Sequence, residues 1–343
     1  MPELSAETVL GDYRWFAADY LAEKQSFLFV HADRQSLAAQ PFLDRRWKKD
    51  GLPSAEMPLA ALAAKIPAGA PAPDLHFIWH TSYCCSTLIA KALDVPGQVL
   101  SLCEPFILVS ADAADRAARA QNGTATRVPE IAFRLLARPE NPGAKVLVKP
   151  SNFANALAGE AARLTSGKSL FLYSSLESFL CSIAKGGTQS AKFTRRLLAN
   201  TVGDLRNLPW PAMDVFEMSD LEIAALAWHM QIAEFRRVWA SFGRGRAASL
   251  DCDAFLENPA AVLSRLDGFF GFGLGAQRTA EVANGSLLKQ HAKVPGERFD
   301  AARRKEEAAA IHRQIRKDLD RIVEWSYRAC PTTPAGAPLP DPV

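Results

Sequence analysis

The sequence predicts an α/β protein: a parallel central sheet with helices packed on both of its faces. Three observations predict it. Five short apolar runs, His76–Trp79, Gln98–Leu102, Lys145–Val148, Ser169–Tyr173 and Ala247–Leu250, each end at a polar residue or turn, as central strands buried on both sides do. Helical segments at 111–120, 129–137, 152–164, 176–185, 220–241 and 259–270 alternate with them, which requires crossover connections and hence parallel strands. Finally, His76–Lys91 (HFIWHTSYCCSTLIAK) reads as one strand, a loop and a helix opening near Ser86 or Thr87.

The flanks read differently. Residues 5–28 place Leu10, Tyr13, Phe16, Ala17, Tyr20 and Leu21 at helical spacing and predict an amphipathic helix. Met57–Ile66 predicts a second, Ala-rich helix, and Pro67–Pro73 (PAGAPAP) a linker that cannot be helical. Residues 300–329 predict a long charged helix, with Arg303–Lys317 as its solvated face. Pro331–Val343, with five prolines, predicts a disordered tail. The expected organisation is a helical segment over 1–70, an α/β domain over 71–330 and a tail over 331–343.

Bulk composition excludes several classes of function. Forty basic residues against 37 acidic ones give a net charge of +3, which argues against broad binding to nucleic acid. No apolar stretch reaches 18 residues and the first residues lack an apolar signal region, so neither a membrane span nor a signal peptide is expected. The six cysteines form no CxxC pair, and reduced thiols in the cytosol are the simplest reading. The histidines show no metal-ligand spacing, so no metal site is expected.

The chemistry concentrates at the loop after His76–Trp79. A loop between a buried strand and a helix start offers backbone N–H groups to an anion, and Ser86 and Thr87 can add hydroxyls. The loop has no GK[ST], so it is not a nucleoside triphosphatase loop, and the missing lysine also counts against a kinase. His80 stands just after the strand, where packing or capping is the ordinary role. Trp228, His229 and Met230 fall on a long helix and read as core.

Four segments, in order, resemble the sulfotransferase family. Ser86–Leu108 (STLIAKALDVPGQVLSLCEPFIL) resembles its 5′-phosphosulfate segment, with Ser86, Thr87 and Leu88 on the family's Thr–Thr–Leu and Glu104 on its glutamate. Val146–Asn152 (VLVKPSN) looks like its strand ending in Lys–x–Pro, and Ser169–Ser182 (SLFLYSSLESFLCS) like its 3′-phosphate segment. Leu250–Leu274 is similar to its segment leading to Phe–Leu–Gly–Leu. The resemblance covers roughly residues 75–275 and implies a P-loop nucleoside triphosphate hydrolase-like, sulfotransferase-like fold. It also implies 3′-phosphoadenosine 5′-phosphosulfate as co-substrate.

The resemblance assigns roles. Glu104 is the expected general base and Lys149 the cation at the leaving oxygen. Thr81, Ser82, Tyr83, Cys84, Cys85, Ser86 and Thr87 are expected to hold the phosphosulfate, Ser174 and Ser182 the other phosphate, and Lys289 and Lys293, in a loop that would close over the nucleotide, a diphosphate. The chain departs from the pattern where Tyr83 replaces the basic loop residue, Cys85 the loop glycine, and Ser174 an arginine. A hydroxyl in place of a charge-assisted partner forfeits on the order of 1–2 kcal/mol. Lys185, Arg195, Arg196, Lys289 and Lys293 are the candidates for compensation, the last two beside His291 in a polar loop. The expected acceptor is a small-molecule, carbohydrate or peptide hydroxyl, with no nucleic-acid partner. The alternative is a non-catalytic nucleotide- or phosphate-ligand-binding protein on the same fold.

Overall fold

Short strands that are apolar throughout need cover on both faces, and the chain supplies it in sequence order. The computed structural model describes residues 4–67, 69–201, 216–289, 301–331 and 338–343, leaving aside the side chains of 288, 289, 301–305 and 308. The N-terminal part forms α1 (Ala6–Gly11), β1 (Trp15–Leu21), β2 (Ser26–His31), α2 (Arg34–Ala39), β3 (Ser54–Pro58) and α3 (Leu59–Lys65). Then come β4 (His76–His80), α4 (Ser86–Ala92), β5 (Val99–Cys103), α5 (Phe106–Asn122), α6 (Val128–Leu136), β6 (Lys145–Lys149), α7 (Ala158–Leu164) and β7 (Ser169–Tyr173). The remainder is α8 (Leu176–Thr201), α9 (Asp220–Trp239), β8 (Ala247–Asp251), α10 (Cys252–Glu257), α11 (Pro259–Phe270), α12 (Gly275–Asn284) and α13 (Ala301–Ala329).

β4 to β8 form one parallel sheet in the order β5-β6-β4-β7-β8, and all five expected strands are present. Alternate side chains go to opposite faces, as the strand period requires. Phe77, Trp79, Leu100, Leu102, Val146, Val148 and Phe171 join the core beneath α5 to α9 and the N-terminal segment. Ile78, Val99, Leu147, Leu170, Leu172, Ala248 and Leu250 join a second core with α4, α10 and α11. The fold class expected from the sequence is therefore the one that forms. β4 has neighbours reached in opposite directions, so its C-terminal end is the topological switch point, where sheets of this kind bind ligands. The register sets Cys103 opposite Lys149, Phe77 opposite Val148, His80 opposite Leu172 and Tyr173 opposite Asp251, so β4, β7 and β8 project past the ends of β5 and β6.

Two expectations for the flanks are corrected. The helix over 5–28, and with it the helical segment over 1–70, gives way to short helices around an antiparallel sheet in the order β1-β2-β3. A bulge between Ala17 and Asp19 shifts the phase of β1, so its buried residues fall at spacings that mimic a helix. Met57 and Pro58 likewise belong to β3, ahead of α3. The tail expected to be disordered is in part tied down. Leu339 is buried, Pro342 bridges Ser249 in parallel, and the Val343 N–H donates to the Ser249 carbonyl at 2.8 Å. No helix among the described residues is long and apolar enough to cross a membrane.

Helix α9 is buried along most of its length and links the sheet to α13. His229, fully buried, sits edge-on between Trp228 and Tyr327, with Nε2 3.0 Å from Ser326 Oγ. Because that hydroxyl donates to the Val323 carbonyl, Nε2 must carry the proton and donate to it. Burial pushes His229 down to about 4 from 6.5. Its unfolded form thus binds more protons between those values, so stability is complete above pH 6.5 and falls as pH drops toward 4. The loss expected near pH 4.5 is about 2–3 kcal/mol. Urea unfolding at pH 7 and 4.5 should show this difference in the natural chain and a smaller one in His229→Phe.

Candidate active site

Three strand ends and one loop meet at the switch point. Lys149 ends β6 with a side chain 0% exposed, and Glu104 follows β5 with one 15% exposed. The Glu104 N–H continues the ladder by donating to the Lys149 carbonyl at 2.6 Å. Glu104 then takes a left-handed conformation (φ 52°), and its Oε1 meets Lys149 Nζ at 2.5 Å. A buried ammonium without a counter-charge is costly, so this pair fixes both side chains.

The surroundings of the pair come partly from residues that sequence reasoning passed over. Arg46 donates to Glu104 Oε2 at 3.3 Å and to Asp44, while its guanidinium lies 3.8 Å from the Phe42 ring. Lys149 Nζ is 5.6 Å from the same ring. Residues 42–47 are held across the strand end because the Leu43 N–H donates to the Cys103 carbonyl and its carbonyl accepts from Phe106. The signal was the basic, aromatic run Arg45–Lys49 (RRWKK) within a stretch that reads only as polar.

His80 joins the pair to the loop. Its Nδ1 accepts from the Ser82 N–H at 3.1 Å, so Nε2 carries the proton and donates to the Pro150 carbonyl at 2.9 Å. Lys149 Nζ lies 3.3 Å from that Nε2. The expected capping role of His80 is real, and through it the loop touches the buried lysine. Gln231 of α9 supports the same corner: Nε2 donates to the Thr81 carbonyl, and Oε1 accepts from Asn152 and Asn155. Nothing in the run around Gln231 separates it from a core residue, so the sequence holds no sign of this.

The loop itself is strained. Ser82 (φ 73°), Tyr83 (φ 55°) and Cys85 (φ 60°) all adopt left-handed backbone, which costs a non-glycine residue about 1–3 kcal/mol each. Cys85 thus keeps the conformation that a glycine adopts freely. Cys84 is buried, its thiol turned to the Leu172 carbonyl, and the Tyr83 hydroxyl donates to Ser190 Oγ at 2.8 Å, on α8 just past its kink at Gly187. Three hydroxyls framing the loop, those of Thr81, Thr87 and Ser174, are buried without a hydrogen-bond partner among the described residues. Ser86 is buried beside Thr87 at the start of α4. Each orphaned polar group costs about 1–3 kcal/mol unless a ligand or water engages it.

Toward α8 the expectations fare less well. Ser182 Oγ donates to the Ser178 carbonyl at 2.9 Å, the ordinary bond of a helical serine. Lys185 pairs with Glu307, and Arg195 with Asp220 and the Met218 carbonyl. Lys293 and the side chain of Lys289 lie outside the described residues. Asp251, Cys252 and Asp253 bring three donor groups within 4.8 Å of one another at the end of β8, and Asp253 accepts from Ser178 Oγ.

The chain matches no protein-family model and no curated protein. Three solved structures are similar in overall course. The sulfotransferase domain from the curacin biosynthetic pathway has 12% identity and a TM-score of 0.46, over 71% of this chain and 98% of that one. The sulfotransferase domain of the Synechococcus PCC 7002 olefin synthase has 11% identity and a TM-score of 0.41, over 68% and 86%. A Mycobacterium avium sulfotransferase has 12% identity and a TM-score of 0.39, over 74% and 77%. At such identities the chemistry is read from this chain's own residues.

The ion pair yields a direct expectation. Glu104→Ala leaves Lys149 buried without a carboxylate and should cost about 3 kcal/mol. Glu104→Gln, which keeps an acceptor oxygen, should cost less than half as much. Urea unfolding of the two variants checks this order.

Proposed function

We propose that the chain transfers a sulfuryl group from 3′-phosphoadenosine 5′-phosphosulfate to a hydroxyl acceptor, with Glu104 as base and Lys149 as the cation at the leaving oxygen. The observation that carries this reading is the buried Lys149–Glu104 pair at 2.5 Å, with Lys149 Nζ 3.3 Å from His80, whose ring accepts from the Ser82 N–H of the switch-point loop. A buried ion pair contributes little to stability compared with apolar packing, so its place at a ligand-binding edge favours a chemical role.

The phosphosulfate end of such a donor suits the loop: Thr81 and Thr87 each offer a buried hydroxyl with no partner among the described residues. As the acceptor oxygen attacks sulfur, its proton passes to Glu104 Oε1 and the bond from sulfur to the phosphate oxygen breaks. Protonation of Glu104 weakens its hold on Lys149 at the moment charge develops on the leaving oxygen. The ammonium can then turn to that oxygen without crossing water. Arg46 holds the second oxygen of Glu104 and so steadies the carboxylate's direction.

A second reading, a non-catalytic nucleotide- or phosphate-ligand-binding protein, is favoured by one observation. Ser182 is satisfied within its helix, and Lys185 and Arg195 are paired elsewhere, which leaves a 3′-phosphate less well served than the phosphosulfate.

Calorimetric titration with 3′-phosphoadenosine 5′-phosphate separates these readings. Binding is expected, weakened about tenfold in Thr87→Ala, equivalent to about 1.4 kcal/mol. Glu104→Gln should lower sulfuryl transfer by about 10²–10⁴-fold while nucleotide affinity changes less than threefold. No binding at millimolar ligand overturns the sulfotransferase reading, and binding with transfer unaffected by Glu104→Gln overturns the assigned base.

A further inference from the structure

The strained loop carries two adjacent thiols, and a third opens the helix that follows β8. The two loop thiols face different ways. Cys84 is buried with Sγ 3.7 Å from the Leu172 carbonyl, toward the sheet. Cys85, half-buried at the entry to α4, is hydrogen-bonded through its thiol to Cys252. Cys252 opens α10 from the end of β8 and is buried, with Asp253 Oδ1 3.8 Å from its sulfur. The Cys85–Cys252 contact therefore spans the two strands that flank β7 in the sheet.

We propose that Cys85 and Cys252 are a peroxide-oxidisable pair, Cys85 taking the oxidant and Cys252 closing a disulfide onto it across the loop. The accessible member lies in the loop and the buried member lies against it, the arrangement in which a first oxidation is resolved within the chain. The hydrogen bond with Cys85, and then burial, hold the Cys252 thiol well above its usual range. Cys85 is the half-buried member and Cys252 the buried one, so an oxidant from solvent reaches Cys85 first. The groups facing Cys252 are Cys84, Tyr173, Asp251 and Asp253, all acidic or neutral.

The chemistry balances with hydrogen peroxide as the oxidant. The Cys85 thiolate attacks one peroxide oxygen, the O–O bond breaks, and a sulfenic acid and hydroxide form. The Cys252 sulfur then attacks the Cys85 sulfur while its proton, passed by way of Asp253, leaves with the sulfenic oxygen as water. Two thiols give up two electrons, and one peroxide becomes two waters. The disulfide ties the left-handed residue before α4 to the end of β8, drawing the loop away from the anion it would hold. This consequence for binding rests on the function proposed above; the disulfide does not.

The test uses the full chain, reduced and then treated with a small excess of hydrogen peroxide, with peptide mapping by tandem mass spectrometry. A Cys85–Cys252 link reversed by dithiothreitol is expected. Cys252→Ala should lose the link and accumulate sulfinic acid at Cys85. Peroxide treatment that leaves both thiols free, or that links Cys84 instead, overturns the proposal. In parallel, oxidised chain should bind 3′-phosphoadenosine 5′-phosphate at least tenfold more weakly than reduced chain. A link that leaves this affinity unchanged overturns the loop closure. If even the reduced chain fails to bind, the functional reading falls while the mapped link still decides the disulfide.

Discussion

One rung of the sheet ladder fixes the chemistry at the switch point: Cys103 of β5 opposite Lys149 of β6. Extending that ladder by one residue brings the Glu104 N–H to the Lys149 carbonyl, and the left-handed turn at Glu104 folds its carboxylate back onto Lys149 Nζ. A one-residue slip would send Glu104 to the other face and leave the buried ammonium unpaired, which the interior does not tolerate. Strand register and ion pair therefore enforce each other. Phe42 and Leu43 lie across the strand end, the Phe42 ring 5.6 Å from Lys149 Nζ, and α9 supports the adjacent loop through Gln231.

The loop beside the pair holds its shape against its own preferences. Three left-handed non-glycine residues, and three buried hydroxyls without partners among the described residues, are costs that apolar packing alone does not explain. They are offset by contacts behind the loop: His80 accepts from the Ser82 N–H, Gln231 donates to the Thr81 carbonyl, and Tyr83 reaches Ser190 on α8. These contacts fix the loop's shape without a ligand, which on the proposed function would favour an anion over water. On the proposed function, Lys149 would supply the positive charge that a basic loop residue does not.

How much of this the sequence discloses follows from the physics of each element. The five central strands are legible because a strand covered on both faces is apolar at every position, as β4, β5 and β7 are nearly throughout. Glu104 and Lys149 are legible because each closes such a run, and the structure brings them together. The antiparallel sheet is not legible, since the bulge in β1 erases the alternation that marks a half-buried strand. The end of the chain is misread for a different reason: its prolines suggest disorder, but Leu339 and the Ser249 ladder hold it. His80, Arg46 and Gln231 act through partners distant in sequence, by 69, 58 and 150 residues, and no local pattern records such contacts. Ser182 shows the reverse, a residue placed by resemblance whose hydroxyl its own helix already satisfies.

The most direct test is a crystal structure of the chain grown with 3′-phosphoadenosine 5′-phosphate. The 5′-phosphate should lie on residues 81–87, within hydrogen-bond distance of Thr81 or Thr87 Oγ1, with Lys149 Nζ turned toward it from Glu104. A nucleotide bound elsewhere, or a 5′-phosphate that leaves those hydroxyls unpartnered and the Lys149–Glu104 pair undisturbed, would contradict the account.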